Sequence, residues 1–388
     1  MKRVPARNVR VPAAAAAAVG ARSRIIIAGK SGVDLAAGAQ TSAALFANCE
    51  SFCGSLTDFK NWATIFFPVI FRIPIDRINW TNSAFLIGTF VLTLTALPLY
   101  LWYFGFDWFH FATFAVLSVA TGFSITLGYH RLFSHATFRA RLPLRLFTLI
   151  FGAAAFENSV LLWVSDHRRH HKHVDHDEDP YDITKGFFHA HIGWLLFKLW
   201  PEPPLDNVAD LQKDPLVMWQ HRHIYLLGVL VSFVLPTLLG ALWNGWVGAL
   251  GGFLIGGVAK VVVLQHGTFL INSACHSIGR QPYSTRCSAR DSFFMALFTF
   301  GEGYHNYHHE FQHDYRNGVK PWQWDPTKWL IWSFSKIGLT DGLRRARAEL
   351  VSSSEANVRK TVTSAQVTSK AEKTPNEHDL TRETAQES

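Results

Sequence analysis

The sequence predicts an all-α integral membrane protein, with four transmembrane helices beneath a helical cap on the cytoplasmic side. Three observations carry that expectation. The 388 residues are 48% hydrophobic and only 17% charged, and the apolar residues pool into long runs, which points to a membrane rather than a large soluble core. The turns expected on the far side, Gly105 to Asp107 and Asn244 to Gly245, hold no lysine or arginine, while basic residues crowd the other ends of the runs. Polar, histidine-rich segments follow the runs on that same basic side. The net charge of +8 is mild for this length. Such basic residues flank a membrane rather than bind nucleic acid. Cys49, Cys53, Cys275 and Cys287 form no CxxC pair, which speaks against a disulfide framework or a cysteine zinc site.

Taken in order, residues 1–60 read as a basic, disordered extension. Lys2, Arg3, Arg7, Arg10, Arg22, Arg24 and Lys30 face no acidic residue before Asp34, a composition that resembles an organelle transit peptide. The membrane domain is expected over 61–343. At its start, residues 60–80 mix aromatics with Lys60, Arg72 and Arg77 and are broken by Pro68 and Pro74, as an interfacial segment would be. Spans follow at about 83–104 and 108–129. Each is nearly uncharged, and about twenty residues at about 1.5 Å each cross the roughly 30 Å hydrocarbon layer. The second ends directly in His130, and Arg131, Arg139, Arg141 and Arg145 follow, which makes this side cytoplasmic.

Leu144 to Val164 is apolar but holds Glu157 and Asn158. A full crossing there would put consecutive histidine clusters on opposite sides, so a re-entrant or surface-lying helix is expected. Spans three and four are expected at 224–243, kinked at Pro236, and 246–271. Gly248, Gly252 and Gly256 form a face on which another helix can pack closely. Residues 344–388 have few apolar residues and no clear periodicity, and read as a disordered tail. Both termini then lie in the cytoplasm, with the membrane being a bacterial inner membrane or endoplasmic reticulum.

The histidines organise the cap. HNYHH carries His305, His308 and His309, and HRRHH carries His167, His170 and His171. Both have i, i+3, i+4 spacing, which puts three rings within about 60° on one helix face. HRLFSH places His130 and His135 five apart, about 140° on a regular helix. Those two converge only if the helix end distorts or if metals lie between them. His276 follows Asn272 by four residues in NSACH. Neutral imidazole suits iron, copper, zinc and nickel, and nine rings exceed one ion's needs, so two metals are implied. His191 and Asp175, and likewise Glu302 and Asp166, are candidates to orient the ligating rings.

HRLFSH, DHRRHH and HNYHH, in this order and in a four-span frame, resemble the membrane fatty acyl desaturases, with the Δ9 stearoyl-CoA type the best match. NSACH, GEGYHNYHHEF, DYRNG, WDPTKW and GFFHAHIGWLL strengthen the likeness over roughly residues 75–340. The resemblance implies a di-iron centre held by His130, His135, His167, His170, His171, His276, His305, His308 and His309, with Asn272 acting through water. It implies an enzyme that uses O2 and two supplied electrons to remove two hydrogens from an unactivated acyl chain, leaving a cis double bond.

The likeness also implies that Asn82, Asn158, Asp166 and Lys198 contact the substrate's carrier headgroup. Ser165 and Leu199 stand where the animal acyl-CoA enzymes place basic residues, which leaves acyl-CoA or another acyl carrier, such as a lipid, as the substrate. No HPGG-type cytochrome b5 motif is present, so the electrons are expected from a separate cytochrome b5 or ferredoxin type donor. A related di-iron hydroxylase or ketolase on the same plan is the alternative. A transporter would bring its ligands to mid-membrane, unlike the one-sided histidines here. The acyl chain is expected to enter a closed apolar tunnel, with Thr113, Ala115, Ala120, Thr121 and Gly122 on the second span as candidates for its end.

Overall fold

A computed structural model describes residues 75–372, with side chains through residue 364. The expected basic extension, the interfacial segment before residue 75 and the last sixteen residues of the tail lie outside the described residues. Among those described, three helical stretches are long and apolar enough to cross a membrane: Trp80–Phe104, Trp108–Ser134 and Pro215–His276.

The first stretch comprises α1 (Trp80–Leu94) and α2 (Ala96–Phe104). Asn79 begins it, its side chain accepting the Asn82 amide at 3.3 Å. Gly105, at φ +78°, turns the chain. Asp107 then caps α3 (Trp108–Phe123) by accepting the Phe109 amide at 2.8 Å. Only Gly105 to Asp107 separate the two stretches, the short turn expected there.

The third stretch is 62 residues long, far more than one crossing needs. It contains α6 (Pro215–Val229), a π-helical turn at Leu230–Val234, α7 (Leu235–Gly251), a π-helical segment at Gly252–Ala259 and α8 (Lys260–Ser273). The helix widens just before Pro236, which has no N–H to give the carbonyl four residues back. Helical dihedrals fail at Asn244 (φ −147°, ψ 44°) and Gly245 (φ 54°, ψ −141°). Beyond that point the chain runs back along itself. A Cβ on Gly240 would meet the Gly248 carbonyl at 2.0 Å, and one on Gly252 would meet the Pro236 carbonyl at 2.1 Å. The glycines read as a packing face thus let two backbones touch.

Between these stretches lie α4 (Leu142–Ala153) and α5 (Val160–His173). With 12 residues, α4 is about 18 Å long and cannot cross. It packs on the second stretch, where Gly128 abuts Thr148 and Gly152 abuts Tyr129. A core of Ile125, Tyr129, Phe133, Leu149, Val160, Leu161, Val164 and Val217 joins these elements. Past the spans, α9 (Phe293–Phe298), α10 (His305–Glu310) and α11 (Pro326–Lys336) complete the cap. A two-residue ladder, Arg139–Ala140 against Thr340–Asp341, ties its end to its beginning.

The tail corrects an expectation. Where disorder was expected from residue 344, the chain forms α12 (Ala348–Glu372), 25 residues long. The segment contains no glycine or proline and many good helix formers. It lacks an apolar stripe, so hydrophobic periodicity gave no sign of it.

Candidate metal centre

The second stretch does not end as a regular helix. From Ser124 to Ser134 it is π-helical, and the His135 amide bonds the His130 carbonyl at 3.1 Å, five residues back. Underwinding brings residues five apart onto one face, so His130 and His135 converge through helix distortion. Their ring centroids are 4.9 Å apart. The other clusters need no distortion. His167, His170 and His171 lie in the last turns of α5, while His305, His308 and His309 lie along α10. His276 ends a short 3-10 turn after α8.

All nine rings meet in two groups. His130, His135, His167, His171 and His308 form one, and His170, His276, His305 and His309 form the other. Within each group the potential ligand atoms lie within 4.8 Å of one another. Nε2 atoms face each other: His135 and His167 at 2.9 Å, His130 and His308 at 3.0 Å, His276 and His305 at 3.1 Å, His170 and His309 at 3.3 Å. Burial, reinforced by neighbouring imidazoles, holds His135, His167, His171, His308 and His309 well below the usual histidine range. The same causes hold His305 at about 3. Neutral rings with facing lone pairs fit two transition-metal ions rather than a hydrogen-bonded core.

The outer nitrogens are held from behind. His170 Nδ1 lies 2.8 Å from Asp179, His167 Nδ1 lies 3.2 Å from the Tyr181 hydroxyl, and His276 Nδ1 lies 2.7 Å from Ser288 Oγ. Ser288 in turn donates to Asp175 at 2.5 Å. Glu302 Oε2 stands 2.8 Å from His130 Nδ1, and its other oxygen accepts from buried Arg131 at 2.8 Å. Burial raises the Glu302 carboxyl, but Arg131 and His130 win and hold it at about 2. Such partners fix ring tautomers and aim Nε2 inward.

Glu302 was legible in the sequence, and Asp175 acts only through Ser288. His191 touches no ring of the nine; it pairs with His266 and Ser273, each at 3.0 Å. Asp166 likewise makes no hydrogen bond to the rings, though it lines the same cavity. Sequence reasoning missed Asp179, Tyr181 and Ser288. Asp179 and Tyr181 lie nine and fourteen residues after the rings they hold, His170 and His167, in a stretch rich in charged residues; Ser288 carried no signal.

Beneath the histidines is a cavity of about 370 Å³. His130, His167, His305, Glu302 and Asn272 line its metal-centre end. Phe85, Leu86, Phe114, Ser118, Gly122 and Ile125 continue its wall along the first two stretches, and Val263, Leu264 and Ile271 along the last. Asn82, Asn158 and Asp166 also line it, whereas Lys198 is exposed and does not. Asn82 Nδ2 donates to the Leu195 carbonyl at 3.3 Å. Burial raises Asp166 to about 7, against the opposing pull of Arg169. The Ser165 hydroxyl is buried and engaged with the Pro204 carbonyl and Asn207, at 2.6 and 2.8 Å. Of the small residues expected at the tunnel's end, Gly122 lines the cavity, while Ala115 and Ala120 face a separate apolar groove on the other side of the helix.

Comparison with known proteins gives a consistent picture. The family described as "Fatty acid desaturase" matches residues 106–323. The chain is 42% identical over 279 residues to acyl-CoA desaturase 1 of Saccharomyces cerevisiae, covering 70% of this chain and 52% of that protein. It is 35% identical over 292 residues to Delta(9)-fatty-acid desaturase fat-7 of Caenorhabditis elegans, covering 74% of this chain and 85% of the relative. With human stearoyl-CoA desaturase 5 it shares 36% over 251 residues, or 63% and 74% of the two chains. The chain spans about half the length of the two yeast proteins it matches.

Proposed function

The chain belongs to the fatty acid desaturase family, and on that premise we propose that it inserts a cis double bond, at or near the Δ9 position, into a saturated acyl chain. The observation that carries this reading is the joining of one apolar cavity to the histidine centre, with His130, His167 and His305 in its wall. The nine imidazoles, with Asn272 acting through water, would hold two irons, which would supply O2 activation and hydrogen abstraction. The protein's own part is placement. An unactivated methylene has no polar handle, so only position selects the carbon that reacts. Phe114, Ser118 and Gly122 recur at helical spacing down one wall and would confine the methyl end.

Asn82, Asn158 and Asp166 are proposed to meet the carrier headgroup at the cavity's polar side, with Lys198 outside it. Ser165, its hydroxyl already used, offers nothing to a phosphate, so a lipid-linked carrier stands beside acyl-CoA as substrate. Electrons come from a separate cytochrome b5 or ferredoxin type protein docking on the basic cytoplasmic face. The reversal at Asn244–Gly245 supports two crossings within the long third stretch, four in all, with both termini and the histidines in the cytoplasm.

The test is expression in a host lacking its own desaturase, with fatty-acid methyl esters analysed by mass spectrometry. A new monounsaturated ester is expected. A hydroxylated or keto product would favour the hydroxylase or ketolase alternative. An iron-loaded, membrane-inserted protein giving neither would sink the reading.

A further inference from the structure

Lys260 is wholly buried within an apolar stretch, and no carboxylate among the described residues pairs with it. An ionisable side chain at such a place is costly and calls for a role. Its Nζ donates to the Ala154 carbonyl and to Ser232 Oγ, each at 2.8 Å, and Ser232 Oγ donates to the same carbonyl at 2.7 Å. One turn on, Gln265 Nε2 donates to the Phe156 carbonyl at 3.1 Å. These groups lie behind the loop that joins α4 to α5. In that loop Phe156 and Asn158 adopt φ of +54° and +73°, conformations that a phenylalanine holds only when its surroundings impose them. Phe156, Glu157 and Asn158 all line the cavity, as do Gln265, Thr268 and Asn272 of α8.

We propose that Lys260, with Ser232 and Gln265, is a positioning residue for the acyl chain: clamping the Ala154 and Phe156 carbonyls sets where the 156–158 loop stands, and so which carbon lies under the histidines. This rests on the desaturase reading above. The loop is thus held by the helix that itself supplies another part of the cavity wall. Roughly 1 Å of misplacement costs about a hundredfold in a positioned reaction, and a shift of that order is comparable with the advance of one methylene. A loosened loop therefore changes which carbon reacts as well as how fast.

Neither Lys260 nor Ser232 lines the cavity, so any change of product in their variants acts indirectly, through the backbone that these side chains hold. Lys260→Met and Ser232→Ala are to be expressed as full chains, checked for membrane insertion and iron content, and their products mapped by mass spectrometry of dimethyl disulfide adducts. The minor positional isomers are expected to rise roughly tenfold in Lys260→Met, to rise less in Ser232→Ala, and to fall back in Lys260→Arg. If Lys260→Met fails to insert, Ser232→Ala carries the test. Inserted, iron-loaded variants that keep the wild-type isomer proportions, whether at full or at reduced rate, would overturn the inference. A wild-type chain that makes no olefin would instead overturn the desaturase reading beneath it.

Discussion

The Asp179 carboxylate lies 2.8 Å from Nδ1 of His170, and the two side chains are 1% and 2% exposed. The same carboxylate accepts the Tyr181 and Asp175 amides at 3.2 and 3.3 Å, so it is itself fixed. It holds the proton on Nδ1 and leaves the Nε2 lone pair facing His309. Asp179→Asn should weaken metal binding about 10–100-fold, with little change in membrane insertion. Chelator competition on purified protein measures this directly. Unchanged affinity would show that the ring is oriented by packing alone.

His308 sits between two neighbours, its Nε2 3.0 Å from that of His130 and 3.0 Å from that of His171. His308→Ala should abolish turnover and lower the iron content while the protein still inserts, because its role is ligation rather than core packing. Metal analysis beside a membrane-fraction blot gives both readouts. Full iron content with no turnover would remove His308 from the ligand set.

The cavity wall refines the expected basis of chain-length choice. Ser118 lines the cavity one turn deeper than Gly122, whereas Ala115 faces the outer groove. Ser118→Trp should shorten the preferred acyl chain by several carbons, since a sterically shut end discriminates where a single methylene is worth only about 1–3 kcal/mol. Ala115→Trp should leave the profile alone. Competition among mixed acyl chains scores both, and a shift by Ala115→Trp without one by Ser118→Trp would refute the assigned wall.

Glu157 carries a pH prediction. Burial raises its carboxyl to about 8, with hydrogen bonds from Thr268 and Trp163 pulling the other way. Its usual value is 4.5, so between about 4.5 and 8 the folded state binds the extra proton. Stability contributed by this group is therefore greatest below that window and falls as pH rises through it, by on the order of a few kcal/mol. Glu157→Gln should flatten the slope and stabilise the protein at pH 8 and above. Thermal melts in detergent across this range decide it; parallel curves for the two proteins would contradict the assignment.

Topology can be tested at two points. Single cysteines at Asn244 and Asp177 should label from opposite faces, external and cytoplasmic, with an impermeant reagent. Labelling of both from one face would break the four-crossing proposal.

The histidine spacing by itself determined that the three rings of HRRHH and the three of HNYHH each share a helix face, the apolar runs determined that the clusters gather at a membrane surface, and the full set of nine came from the resemblance. The first two follow from local periodicity: i, i+3, i+4 positions share a helix face whatever the rest of the chain does. The hairpin turns were equally legible, because Gly105, Asn244 and Gly245 are local backbone choices. Other features depended on partners distant in sequence. Whether His130 and His135 share a face rested on a π-helical segment, and packing against α4 and α5 accompanies that distortion. Asp179, Ser288 and Arg131 acquired their roles only once the cap brought them behind the rings. Lys260 went unmarked in the sequence, and only the fold supplies the carbonyl 106 residues away that gives it a partner. The helix at 348–372 escaped notice because hydrophobic patterning reports burial, and that helix buries little. Hydrogen-bond partners and cavity walls are long-range contacts, and no window along the chain contains them.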